Sequence, residues 1–173
     1  MIFSVLAVNA QRAGEATVWS NDNDINHSGF FLNPTIGVEA GDVSTDFGID
    51  VTLGYRWHIA NGFNWDILKI GANTGVSNFA ELMTLRFLTG IRYNSAPVIG
   101  DKSLYADFGM GYGLMTDDTD FGGFVYEIGV GVNLTRKISL GLVWEGNCMK
   151  YSDDYWEYSA HYGLFGLRLG VNF

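Results

Sequence analysis

Over Tyr162 to Phe173 the chain alternates strictly: Phe165, Leu167, Leu169, Val171 and Phe173 are apolar, while Gly166, Arg168, Gly170 and Asn172 between them are polar or glycine. A period of two is the mark of a strand with one greasy face and one polar face. Seven earlier stretches repeat the pattern, which predicts eight strands joined by short links.

The first strand is predicted from Gly29 to Gly41, with Phe30, Leu32, Ile36, Val38 and Ala40 opposing Asn33, Thr35, Gly37 and Glu39; Pro34 is its flaw, because proline lacks the N–H a doubly paired strand needs. The second sets Phe47, Ile49, Val51, Leu53, Tyr55 and Trp57 against Asp50, Thr52, Arg56 and His58, and Asn61-Gly62 then supplies a tight turn. The third opens with Phe63, Trp65 and Ile67 and slips in parity to Leu68, Ile70 and Ala72, which predicts a bulge near Ile67. Strands four to seven place Arg86 and Arg92, then Asp107, Glu127 and Glu145, on their polar faces. Strand seven is expected to end before a loop from Met149 to Tyr158.

The 173 residues suffice for one domain and not for two ordinary ones. Residues 1–10 read as the remnant of an export signal, since Ile2 to Val8 is apolar and Val8-Asn9-Ala10 fits a small-residue cleavage pattern, although a basic leading segment is missing. Residues 11–28 read as a polar N-terminal arm, and 29–173 as the barrel. A net charge of −9 argues against nucleic acid as a partner, because phosphate binding requires an exposed basic stripe. The single cysteine, Cys148, excludes an internal disulfide framework, and no pattern in the chain points to a cofactor.

Alternation does not say which face points outward. In a soluble lipocalin-like barrel the apolar face would line a ligand cavity; in a membrane barrel it would meet lipid. Three features favour the membrane. Glycine concentrates on the charged face, where a narrow eight-stranded barrel needs room inside. The charges within strands are mostly arginines and acids, suited to enclosed pairing, whereas Lys102, Lys137 and Lys150 fall at predicted connections. Aromatics gather near strand ends, at Tyr55, Trp57, Phe63, Trp65, Tyr93, Trp144 and Tyr158, as in the girdles of membrane barrels. The fold class expected is therefore all-β, an eight-stranded antiparallel up-and-down transmembrane β-barrel.

With these strands in place, Gly29 to Phe173 resembles small outer-membrane barrels of the OmpX, Ail and OmpA-barrel type from Gram-negative bacteria. The terminal Phe173 on an alternating strand is similar to the signal read by the outer-membrane assembly machinery. It departs from that signal in carrying Arg168 where a glycine is common, five residues before the last aromatic. The resemblance implies an integral outer-membrane protein with both termini periplasmic, and lipid and lipopolysaccharide as its surroundings. It also implies outer loops at Asp42–Asp46, Thr74–Ala80, Thr116–Gly122 and Met149–Glu157. Loops this short present little surface, so docking to another outer-membrane protein would fall to the lipid-facing wall.

The outer rim so defined is acidic, and Asp117, Asp118, Asp120, Asp153 and Asp154 are its candidates for recruiting Ca2+ or Mg2+, although none has the spacing of a dedicated calcium loop. Inside, Glu39, Asp50, Arg56, Arg86, Arg92, Asp107, Glu127, Glu145 and Arg168 are expected to form a charge network that plugs the lumen. A non-enzymatic structural or interaction role is the primary expectation. The alternative is a lipid A-modifying, deacylase-like enzyme, for which Ser159, His161 and Glu157 supply a hydroxyl, a base and an acid at the outer end of strand eight. Their order departs from the His-x-Ser arrangement of that family. His27 and His58 have no convincing partners for catalysis.

Overall fold

The computed structural model describes residues 27–41, 46–75, 83–116, 121–152 and 157–173. They form eight strands: β1 (Gly29–Gly41), β2 (Asp46–Ala60), β3 (Phe63–Gly75), β4 (Met83–Ile99), β5 (Lys102–Met115), β6 (Phe121–Asn133), β7 (Ile138–Ser152) and β8 (Glu157–Asn172). Each strand pairs antiparallel with its sequence neighbours, and β8 returns to β1 to close the barrel. Closure removes every free edge, the condition a sheet must meet to cross hydrocarbon.

Short turns hold one end together. Asn61 and Gly62 both have positive φ (49° and 84°), the combination demanded by a two-residue hairpin whose twist matches its strands. We call this end, where β1 starts and β8 finishes, the terminal end and the opposite one the distal end. The proline flaw in β1 is absorbed at the seam. The β1–β8 ladder runs through Leu32↔Val171, skips Asn33 and Pro34, and resumes at Thr35↔Arg168 without changing register.

The slip in β3 is a bulge as expected. Registry breaks between Asp66 and Lys69 on the β4 side, and Ile67 and Leu68 both point outward. The strands at the distal end are longer than the alternation indicated. β7 runs to Ser152 and β8 starts at Glu157, so the expected Met149–Glu157 loop is corrected: Met149 is a fully buried lumen residue, and Lys150 sits within β7 facing Ser159. Lys102 likewise opens β5 instead of lying in a connection.

The wall settles the direction of the faces. Ile36, Leu53, Ile91, Val130, Leu142, Leu167 and their same-face neighbours are about half exposed and encircle the barrel. A continuous apolar belt of this kind is not tolerated in water, and it overturns the lipocalin-like alternative, in which these side chains would line the cavity. Aromatic pairs mark the terminal margin of the belt, with Trp57 stacked near Trp65 at 6.5 Å and Phe63 against Tyr93 at 4.9 Å.

Candidate functional site

The inward face brings together what the sequence scatters over seven strands, β2 to β8. Arg56 grips Asp66 with two hydrogen bonds, Nε at 2.6 Å and Nη2 at 3.0 Å. Lys69 bridges Asp66 (3.2 Å) to Glu127 (2.6 Å). Arg168, entering from β8, reaches Glu127 at 2.9 Å and Asp107 and Glu145 at 3.3 Å each. Glu145 then meets Arg86 at 3.0 Å, and Arg86 meets Asp50 at 2.5 Å. Arg92 lies 4.0 Å from Asp107, donates to Asn133 at 2.6 Å and stacks over the Tyr105 ring at 3.6 Å.

All of these charged side chains are buried. Among the described residues the buried ion pairs comprise five cations (Arg56, Lys69, Arg86, Arg92, Arg168) and five anions (Asp50, Asp66, Asp107, Glu127, Glu145), so the network is neutral and contributes nothing to the chain's formal charge of −9. Neutrality has a direct physical reason: an unmatched charge this far from water costs several kcal/mol. The network is balanced without being fully hydrogen-bonded, since Arg86 Nε and Nη1, Arg168 Nε and both amide atoms of Asn147 are buried with no partner among the described residues.

Around the ions the lumen is packed. Tyr105 lies across Gly131 and Gly141, where an added Cβ would come within 2.6 Å of its ring and 2.1 Å of its hydroxyl. Distal to the ions, Leu88, Val125 and Met149 form a small apolar core with Tyr162 packed on it. The Tyr162 hydroxyl lies 2.5 Å from that of Thr84.

Of the nine charges predicted to share the lumen, eight do so. Glu39 stands apart, half-buried at the distal end of β1 and outside the described ion pairs. Asp66 and Lys69 are additional members. The signal for both was the parity slip at Ile67, which places residue 66 and residue 69 on the inward face although three positions separate them.

The candidate catalytic residues do not converge. Ser159 and His161 point outward on β8, two residues apart and therefore about 6.6 Å along the strand, whereas a nucleophile and its base need to approach to about 3 Å. The residue directly across from His161 is Cys148, and the one across from Ser159 is Lys150. Glu157 opens β8 opposite Ser152. The rim candidates Asp117, Asp118, Asp120, Asp153 and Asp154 lie outside the described residues, among which no group of three or more His, Cys, Asp or Glu side chains is placed to hold a metal.

A closed eight-stranded antiparallel barrel, apolar outside and filled by ion pairs within, is the architecture of a small integral outer-membrane protein. Solved structures share it. The outer membrane enzyme PagL superposes with a TM-score of 0.60 at 13% identity, covering 83% of this chain and 99% of that one. Neisserial surface protein A superposes with a TM-score of 0.54 at 9% identity, covering 84% and 97%. At such identities the likeness is one of fold. The family described as outer membrane protein beta-barrel domain matches residues 2–173, and the chain belongs to it. No curated protein sequence matches the chain.

Proposed function

We propose that this protein is a non-enzymatic outer-membrane barrel with a structural or interaction role, its lumen serving as a rigid plug and its outer wall and distal rim as its working surfaces. The observation that carries the reading is the neutral network of five cations and five anions that spans the lumen among packed side chains. Such a network joins seven strands and leaves no aqueous path for a solute. Both termini lie on the periplasmic side, which sets the acidic loops outward. The assembly machinery is engaged through Phe173, and lipid and lipopolysaccharide surround the belt.

The deacylase-like alternative has Ser159, His161 and Glu157 as its ingredients, and the separation of Ser159 from His161 counts against it. The test is reconstitution of the purified chain in bilayers containing lipid A, read in two ways. Planar-bilayer recordings should show no stable conductance, and lipid mass spectra should be the same with and without protein. Sustained channels, or a lipid A that has lost an acyl chain, would each sink the proposal.

A further inference from the structure

The outward face gathers polar side chains most densely on two strands, while β3 carries a single hydroxyl, Thr74 opposite Met83, at its distal end. On β1, β2, β4, β5 and β6 the described outward residues stay apolar to the distal end, at Ala40, Phe47, Met83, Leu114 and Phe124. On β7 and β8, just beyond the distal aromatics, the face turns polar in two successive cross-strand rows: Cys148 opposite His161, then Lys150 opposite Ser159. Directly opposed residues have Cβ atoms about 5 Å apart, and diagonal ones about 7 Å. The lysine, the imidazole and the hydroxyl therefore share one patch of the wall, all three exposed.

The row below is built differently again. Gly146 and Gly163 oppose each other across the same two strands. The Tyr126 ring lies over Gly146, within 2.4 Å of where a Cβ would stand, and the Trp144 ring lies over Gly163 at 2.6 Å. Trp144 Nε1 donates to the Tyr126 hydroxyl at 3.3 Å and ties the two rings together. The result is a low aromatic shelf in the lipid-facing wall, immediately beneath a cationic and hydroxylic patch. Lys150 makes no ion pair with any described carboxylate. Lys150 is exposed on the wall at the distal margin of the apolar belt, where an anionic headgroup comes within its reach.

We propose that the distal β7–β8 wall is a docking site for a lipid with a phosphate in its headgroup: Lys150, Ser159 and His161 hold the phosphate, and an acyl chain lies on the shelf made by Tyr126 and Trp144 over Gly146 and Gly163. This deepens the interaction role proposed above and rests on that reading. Charge complementarity selects the occupant. The lysine supplies the Coulombic attraction, the hydroxyl and imidazole supply directed hydrogen bonds, and the shelf accepts a flat hydrocarbon chain where a taller side chain would exclude it.

The experiment uses the full chain in phosphatidylcholine vesicles with and without phosphatidic acid, extracted gently and weighed with its bound lipids by native mass spectrometry. Phosphatidic acid should be retained about five-fold over its bulk share, the factor expected for one lysine near an anionic surface. The double variant Lys150→Gln/Ser159→Ala should fall to the bulk share, while Lys102→Gln at the terminal end should retain the enrichment. Cys148, as the chain's single thiol, provides an independent readout, since phosphatidic acid should slow its labelling by maleimide in the wild type and not in the double variant. Bulk-share retention in the wild type, undiminished enrichment in the double variant, or equal labelling rates would overturn the site. Excess inorganic phosphate should leave the enrichment unchanged; if it displaces the lipid, the patch is a phosphate site and the lipid assignment fails. A bound lipid of altered mass would refute the non-enzymatic reading while leaving the docking site standing.

Discussion

Arg168 is the member of the lumen network whose loss should be felt most. Among the described residues it alone contacts three carboxylates, Glu127 at 2.9 Å and Asp107 and Glu145 at 3.3 Å. In Arg168→Met, Glu127 keeps Lys69 at 2.6 Å and Glu145 keeps Arg86 at 3.0 Å, but Asp107 is left with only Arg92 at 4.0 Å. The buried anions then outnumber the cations by one, and removing one partner from a buried ionic cluster costs about 3–5 kcal/mol. With a urea dependence of about 2 kcal/mol per molar, the unfolding midpoint should drop by about 1.5–2.5 M. The assay is equilibrium urea unfolding in lipid vesicles, followed by tryptophan fluorescence. The double variant Arg168→Met/Asp107→Asn restores the balance and should recover more than half of the loss, because the penalty comes from the unmatched charge and not from the missing guanidinium. If the single variant stays within about 0.5 kcal/mol of wild type, as an exposed substitution would, the lumen is hydrated and the plug reading is wrong. The same conclusion follows if the two substitutions add independently.

Gly141→Ala should destabilise by about 1–3 kcal/mol, because its Cβ would stand 2.1 Å from the Tyr105 hydroxyl and 2.5 Å from the Val130 carbonyl oxygen; thermal unfolding in the same vesicles measures it, and a neutral result would mean that Tyr105 does not lie across the glycines. Gly100→Ala meets nothing within 4 Å but sits at φ 61°, so its cost should be confined to about 1–2 kcal/mol of backbone strain. Deleting Phe173, whose N–H donates to the Phe30 carbonyl at 2.9 Å across the seam, should reduce insertion into the membrane in cells; full assembly of that variant, scored by its resistance to protease on intact cells, would argue against both the seam contact and the assembly signal. Titration with calcium or magnesium should raise thermal stability if the acidic rim recruits cations, and indistinguishable curves with and without chelator would dispose of that idea.

Strand count and the membership of each face were legible because a strand's side chains alternate with a period of two, and an alternation of ten or so residues survives a bulge or a proline. The parity slip at Ile67 was legible for the same reason, and with it the inward position of Asp66 and Lys69. Strand ends were not: the alternation through Cys148, Met149 and Lys150 sets a thiol and a cation on the apolar face, and a hydropathy pattern cannot tell a polar outward residue above the lipid from the start of a loop.

What the sequence by itself determined is the set of eight amphipathic strands and the chemical character of their two faces, since these depend only on local periodicity. The outward direction of the apolar face was already indicated by the glycines and arginines on the opposite face. Two things belonged to the tertiary structure. The network's pairings arise from closure and stagger, which bring Arg168 of the last strand to Asp107, Glu127 and Glu145 of the fifth, sixth and seventh. And the juxtaposition of Lys150 with Ser159, and of Cys148 with His161, follows from the register of β7 on β8, a long-range quantity that no single strand encodes.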